Sequence, residues 1–266
     1  MAATNGVEVR VAGLSRSGNH CLIDWLLRQI EGRWCFLNCA EGKTNPFLTA
    51  RPADDGVAVR TNIPDFDLEA ERRGRLSRKD WLVHSYEDSF LGHALRPGPE
   101  VEREQMTGRS GRHVDLLVLR DPLNLFASRR ALRSRVSDRT AIRIWKQHAR
   151  AALHPSALLR HETVIVPFDH FVGSSAFRGA LAERLGLRLR DSSLSRVAAC
   201  AGGSSFDGMR FDGQAERMAV GTRWRSAVDD PAWRALFDRE TEALARKLFP
   251  DAPASVAEAE RYAKAA

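Results

Sequence analysis

A strand, a glycine-bracketed loop and a helix follow one another near the start of the chain. Val7, Val9 and Val11 lie in a short apolar run, which is typical of a buried strand. The loop that follows, GLSRSGNH at 13–20, has glycine at its first and sixth positions. Residues 21–30 then place their apolar side chains on one helical face. Because a helix N-terminus presents backbone N–H groups, this segment predicts an anion-binding loop.

The loop lacks two residues that nucleoside-triphosphate sites use. Such sites continue with a Lys for the β- and γ-phosphates and a Ser or Thr for Mg²⁺, whereas this chain continues with Asn19 and His20. Arg16 and Ser17 supply a charge and a hydroxyl earlier in the loop. The sequence therefore favours a phosphate-like anion over a magnesium nucleotide. A glycine-rich turn with an incidental arginine is the alternative.

Strand-like and helix-like runs alternate along the rest of the chain. Helical patterns occupy 21–30 and 138–153, and short apolar strand patterns occupy 7–12, 81–86, 114–119 and 163–166. This alternation predicts an α/β fold in which helices flank a central parallel sheet. We expect a single domain over 1–266, with a long insertion at about 31–80 that faces the acceptor and a flexible C-terminal tail at about 251–266.

A second segment, VDLLVLRDPLNLFASRRAL at 114–132, also reads as strand, turn and helix. Arg120 ends the strand, Asp121 is suited to cap the helix, and Pro122 suits its first turn. Ser128 follows Arg120 by eight residues. Ligands of open α/β sheets bind at the carboxyl ends of the strands, and both this turn and the glycine loop fall there.

On these two segments the sequence resembles sulfotransferases that use 3'-phosphoadenosine 5'-phosphosulfate (PAPS). The resemblance implies a P-loop-like, three-layer sulfotransferase fold and a site for PAPS. It implies that Arg120 and Ser128 hold the 3'-phosphate. The late segment ERMAVGTRWRS at 216–226 resembles the part of the family that closes over this phosphate, through Arg217 and Arg223. The loop residues that would hold the 5'-phosphosulfate are Ser15, Arg16, Ser17, Gly18, Asn19, His20 and Cys21.

The chain also departs from the family pattern. Arg16 stands where most members have a Lys beside the bridging oxygen, and Asn19 and His20 replace two hydroxyl residues. An arginine is a planar fork and a lysine a point charge, so the two do not contact a phosphosulfate in the same way. Arg16 is nevertheless expected to act in catalysis.

The reaction also needs a base for the acceptor's proton. The segment WLVHSYEDS places His84 near the end of a predicted strand, where the family carries a catalytic histidine. Imidazole titrates in the working pH range. The alternative is a half-buried histidine that only bonds its neighbours. His20 is a rival base, and Glu87 and Asp88 are the next candidates for this role.

Composition narrows the partners. The formal charge of +7 and the pI near 9.7 indicate an anionic ligand, although most basic residues are arginine and a compositional bias can produce that excess. The basic run at 72–79 lacks interleaved aromatic residues, so we expect a solvated face and no nucleic acid. The thiols of Cys21, Cys35, Cys39 and Cys200 are expected to be reduced and no metal site is expected.

The expected function is transfer of a sulfuryl group from PAPS to a hydroxyl or amine of a small-molecule, carbohydrate or lipid acceptor, leaving adenosine 3',5'-bisphosphate. A divergent nucleotide kinase or NTPase and a non-catalytic nucleotide-binding regulatory protein are the alternatives. No apolar run reaches the length of a membrane span, and the N-terminus lacks the apolar core of a signal peptide. A cytoplasmic location is therefore expected.

Overall fold

A six-stranded sheet forms the centre of the molecule. The computed structural model describes residues 3–42, 44–52, 56–95, 100–132, 134, 136–154, 156–190, 194–199 and 203–265. Its strands, in the sheet order β3-β2-β4-β1-β5-β6, are parallel except for β3, which runs antiparallel to β2. They are β1 (Asn5–Gly13), β2 (Trp34–Leu37), β3 (Val59–Thr61), β4 (Lys79–Glu87), β5 (Ser110–Leu119) and β6 (Glu162–Pro167).

Helices cover both faces of this sheet, which gives three layers. Side chains of β1 and β5 pack on one face against helices that include α1 and α9, and on the other against helices that include α6, α7, α11 and α12. The described helices are α1 (Asn19–Gln29), α2 (Pro46–Thr49), α3 (Leu68–Arg72), α4 (Leu91–Ala94), α5 (Glu100–Thr107), α6 (Pro122–Ala131), α7 (Asp138–Leu153), α8 (Phe168–Gly173), α9 (Ser175–Leu185), α10 (Pro231–Arg234), α11 (Arg239–Leu248) and α12 (Val256–Ala265). Single 3₁₀ turns lie at Ala215–Arg217 and Arg223–Ser226.

The predicted α/β architecture is confirmed. The four predicted strands lie within β1, β4, β5 and β6. The region at 31–80, expected to be an insertion, contributes two further strands, because β2 pairs in parallel with β4 and carries β3 at the sheet edge. These strands have only four and three residues, too few for a clear apolar pattern.

The C-terminal region ends in a helix that packs on the core. Within the expected tail, α12 buries Val256 and Ala259 in the core. No described helix has both the length and the apolar composition needed to cross a bilayer.

The thiols at 21, 35 and 39 are free, and burial raises the pKa of each to about 12. Cys200 lies outside the described residues.

One face of the sheet also carries a buried ion pair. Arg10 on β1 donates from Nε and a terminal nitrogen to the two carboxylate oxygens of Asp115 on β5, at 2.6 and 2.8 Å. Both side chains are almost completely buried. Because neither ion is hydrated, each depends on the other for its charge compensation.

We predict that Asp115→Ala destabilises the protein by about 3–5 kcal/mol, since it leaves the Arg10 charge buried and unpaired. Urea unfolding measures the loss. Glu41→Ala is the control, because its ion pair with Arg51 is exposed and is expected to contribute less than about 1 kcal/mol. Equal losses in the two variants would show that the buried pair does not stabilise the sheet.

Candidate anion-binding site

The glycine loop turns sharply between β1 and α1. Gly18 caps α1 in the left-handed conformation, with φ of 98°. A Cβ atom there would lie 2.1 Å from Cδ2 of Phe168 on α8. Arg16 also has a positive φ, of 73°, which is uncommon for a residue with a side chain. Such strained backbone is found most often at functional sites.

Hydrogen bonds to the side chains of Asp88 and Arg129 hold Ser15 in place. Its backbone N–H and its hydroxyl donate to the carboxylate of Asp88, at 3.0 and 2.8 Å. Arg129, which is fully buried, donates to the same hydroxyl and to Asp88. The predicted phosphate-binding hydroxyl of Ser15 therefore bonds protein groups that fix the start of the loop.

Asn19 and His20 orient the groups around the first turn of α1. The Asn19 amide donates to the carbonyl of Leu14 and to Oε1 of Glu87, at 3.1 and 2.9 Å. His20 Nε2 lies 2.9 Å from Oδ1 of Asn38. The Asn38 amide donates to the carbonyl of Arg51, so its oxygen accepts and His20 Nε2 carries a proton. The Nδ1 atom of His20 lies 3.9 Å from Oε1 of Glu87.

Two arginines converge on one serine. A terminal nitrogen of Arg120 donates to Oγ of Ser128 at 3.1 Å, and Arg223 donates to the same oxygen at 3.4 Å. Arg120 also donates to the backbone carbonyls of Arg16 and Val220. The structure thus brings together Arg120, Ser128 and Arg223, three residues that the family resemblance placed around one phosphate. We call these three residues the arginine cluster.

The arginine cluster holds positive charge in a place of low hydration. Burial lowers the pKa of Arg120, and the charges of Asp121 and Asp169 offset part of that effect. Burial and then the charge of Arg120 lower the pKa of Arg223 to about 10. Two buried cations that repel each other favour an added anion. The buried Nε of Arg120 and hydroxyl of Ser17 have no hydrogen-bond partner among the described residues.

A cavity of about 300 Å³ joins the loop to the arginine cluster. Its lining combines charged and polar side chains with apolar ones. The charged and polar lining includes Arg16, Asn19, His20, Glu87, Arg120 and Arg223. The apolar lining includes Cys21, Phe168, Val172, Leu194, Val197 and Met218. Such a mixed lining suits a ligand that has separate anionic groups and a ring system.

The structure does not bring His84 to this cavity. The residue is 1% exposed. Its Nδ1 lies 2.7 Å from the hydroxyl of Tyr86, and its Nε2 lies 3.0 Å from Oε1 of Glu8. Burial lowers its pKa. Since β4 continues to Glu87, His84 is three residues short of the strand end. The structure therefore places His84 apart from the cavity, in contact with Tyr86 and Glu8.

Glu8 is the centre of this separate buried network. Burial alone would raise the pKa of Glu8, but hydrogen bonds from His113 and His84 hold it well below its usual value. Ser110 donates to the same carboxylate at 2.8 Å. The alternative given by the sequence, a histidine that bonds its neighbours, describes His84.

Arg217 also lies outside the arginine cluster. It is exposed, donates to the side chain of Gln214 at 2.5 Å and stacks on the ring of Phe211. Of the two late arginines, only Arg223 lines the cavity. The 3₁₀ turns at Ala215–Arg217 and Arg223–Ser226 are separate elements, so proximity in sequence does not place both arginines together.

Two further cavity residues were undervalued or missed by the sequence interpretation. Glu87 ranked behind both histidines as a candidate base. It nevertheless lies at the end of a parallel strand, and ligands of such sheets bind at the carboxyl ends of the strands. Phe168 was not singled out. Its ring lies beneath the Arg120 guanidinium, 5.3 Å away, and its contact with Gly18 joins α8 to the loop.

Comparison with known proteins gives only weak likeness. No protein-family model matches the chain, and no curated protein matches it. The chain is similar to a solved structure, the sulfotransferase domain from the Synechococcus PCC 7002 olefin synthase, with 14% sequence identity and a TM-score of 0.41. The match covers 98% of this chain and 96% of that chain. At these values the likeness carries no inference about activity.

We predict that Gly18→Ala destabilises the protein more than Gly74→Ala does, as measured by urea unfolding. Both glycines have a positive φ, which costs an alanine about 1–2 kcal/mol. Only at Gly18 would the added Cβ also overlap a buried ring, since the space around Gly74 is open. Equal losses would show that Phe168 can move away from the loop.

Proposed function

We propose that this protein is a sulfotransferase that moves a sulfuryl group from PAPS to an acceptor hydroxyl or amine. The observation that carries the proposal is the convergence of Arg120 and Arg223 on Ser128 beside a cavity that both arginines and the glycine loop line. PAPS carries a 3'-phosphate and a 5'-phosphosulfate on one adenosine. A cavity lined by Arg16 from the loop, by Arg120 and Arg223 from the arginine cluster and by apolar side chains suits this distribution of charge.

The resemblance in sequence assigns the two anions to two sets of residues. Arg120, Ser128 and Arg223 would hold the 3'-phosphate. The loop N–H groups and Arg16 would hold the 5'-phosphosulfate, with the N-terminus of α1 adding its dipole. The unpartnered Nε of Arg120 leaves hydrogen-bonding capacity for such a ligand. A nucleoside-triphosphate loop has a lysine and a hydroxyl residue where this chain has Asn19 and His20. This difference favours PAPS over a magnesium nucleotide.

Glu87 replaces His84 as the proposed base. It lines the cavity, and the Asn19 amide fixes one of its oxygens at 2.9 Å. Asp88 is the less suitable carboxylate, because Ser15 and Arg129 bond it. Glu87 would accept the proton of the acceptor hydroxyl as that oxygen attacks sulfur.

Arg16 would act on the leaving group. As the new S–O bond forms, the bond from sulfur to the bridging oxygen breaks and its electron pair stays on the 5'-phosphate of adenosine 3',5'-bisphosphate. Negative charge therefore grows at the bridging oxygen. Arg16 lines the cavity, and a preorganised cation there would stabilise the transition state.

Incubation with PAPS labelled in its sulfur, together with a host extract as the source of acceptors, tests the function. Transfer of label to an extract component, dependent on the protein, is expected. Binding of the nucleotide without transfer would indicate a regulatory binding protein, and magnesium-dependent ATP turnover would indicate a kinase or NTPase.

We predict that saturating adenosine 3',5'-bisphosphate raises the thermal midpoint of the protein. At about a hundred times its dissociation constant, a ligand adds roughly 2.7 kcal/mol of stability. Arg120→Ala is expected to abolish the shift. Arg217→Ala is the matched control, since this arginine lies outside the arginine cluster, and it should keep the shift. An unmoved parent midpoint, or equal loss in both variants, would contradict the assignment.

We predict that Glu87→Gln lowers the rate of label transfer by about 10²- to 10⁴-fold, the range for a positioned proton acceptor. Affinity for adenosine 3',5'-bisphosphate should change little, because Glu87 bonds none of Arg120, Ser128 and Arg223, the side chains assigned to the 3'-phosphate. His84→Gln, compared per folded molecule, should keep the parent rate. Full activity of Glu87→Gln together with an inactive His84→Gln would return the base to His84.

A further inference from the structure

A short turn contacts Arg223 of the arginine cluster. Residues 203–208 fold back on themselves, with the backbone of Ser204 and Gly208 bonded in both directions at 3.0 and 2.9 Å. Phe206 places its ring 5.2 Å from the Arg223 guanidinium. The carbonyl of Gly203 accepts a hydrogen bond from Arg16 at 2.7 Å. The turn therefore contacts cations assigned to both anionic groups.

Within this turn a carboxylate lies beside Arg223. Arg223 donates to Oγ of Ser204 at 2.7 Å, and that hydroxyl donates to Oδ2 of Asp207 at 3.0 Å. Oδ2 of Asp207 is itself 3.6 Å from the guanidinium nitrogen. The side chains of Arg223 and Asp207 are 8% and 24% exposed, so water screens this ion pair only in part.

Arg223 is thus shared between two partners. One terminal nitrogen bonds Ser128, inside the arginine cluster. The other bonds Ser204 and faces Asp207. An anion that binds at Ser128 meets a guanidinium whose charge is already partly compensated. Anion and carboxylate therefore compete for one cation.

We infer that Asp207 determines the affinity of the site for the 3'-phosphate by competing with that phosphate for Arg223; this inference rests on the proposed function. When the phosphate binds, Arg223 shifts its charge pairing from Asp207 to the ligand. When the ligand leaves, the carboxylate compensates the cation again. Asp207 thereby weakens product binding, which favours release of adenosine 3',5'-bisphosphate.

Calorimetric titration at fixed ionic strength tests this inference, with adenosine 3',5'-bisphosphate and adenosine 5'-phosphate as ligands. Asp207→Asn removes the charge but keeps the size of the side chain. It should tighten binding of the bisphosphate by about three- to fivefold, near the upper end of the range for ion pairs that water can reach. Binding of adenosine 5'-phosphate, which lacks the 3'-phosphate, should stay within about twofold of the parent.

Two further variants distinguish the local effect of the Asp207 carboxylate from a change in the overall charge of the protein and from damage to the turn. Asp229→Asn makes the same change of charge at an exposed residue and should bind both ligands as the parent does. Asp207→Glu restores a carboxylate and should return the affinity for the bisphosphate towards the parent value. A disordered turn would instead change the affinity for both ligands.

The outcomes separate this inference from the proposed function. Tighter binding of the bisphosphate alone in Asp207→Asn supports it. Parent-like or weaker binding of the bisphosphate in Asp207→Asn, with a parent that binds well, overturns the role of Asp207 and leaves the proposed function intact. Absence of binding by the parent and by every variant overturns the proposed function and the role of Asp207 with it.

Discussion

The position of the Arg120 guanidinium is the constraint on which the rest of the site depends. It donates to the carbonyl of Arg16 in the loop, to Ser128 on α6 and to the carbonyl of Val220 in the late segment. It also lies over the ring of Phe168. One buried cation therefore joins four parts of the chain that are far apart in sequence, and the cavity lies among them.

Burial of this cation has an electrostatic consequence for its neighbours. Asp121 caps α6 by accepting the N–H of Asn124, and burial followed by the charge of Asp169 raises its pKa to about 7. Asp121 and Asp169 both favour the charged form of Arg120. Asp121 and Asp169 compensate part of the charge of Arg120, and Asp207 compensates part of the charge of Arg223. The remaining positive charge still attracts an anion.

Much of this arrangement follows from local sequence. The glycine loop is predictable because its strand and helix are strongly patterned, and Arg120 and Ser128 because strand, cap and helix fix their separation. The cap at Asp121 is confirmed. His84, Arg217 and Glu87 were harder to place. An apolar run does not show where a strand ends, so His84 seemed terminal, and irregular turns decide which late arginine faces the cavity. Strands as short as β2 and β3 depend on pairing with the sheet.

A crystal structure of the protein with adenosine 3',5'-bisphosphate would show how the nucleotide lies in the cavity. We predict that its 3'-phosphate lies within hydrogen-bond distance of Arg120, Ser128 and Arg223, and that its 5'-phosphate lies against the backbone N–H groups of the glycine loop. A nucleotide bound in the reverse direction, or bound away from these three side chains, would contradict this prediction.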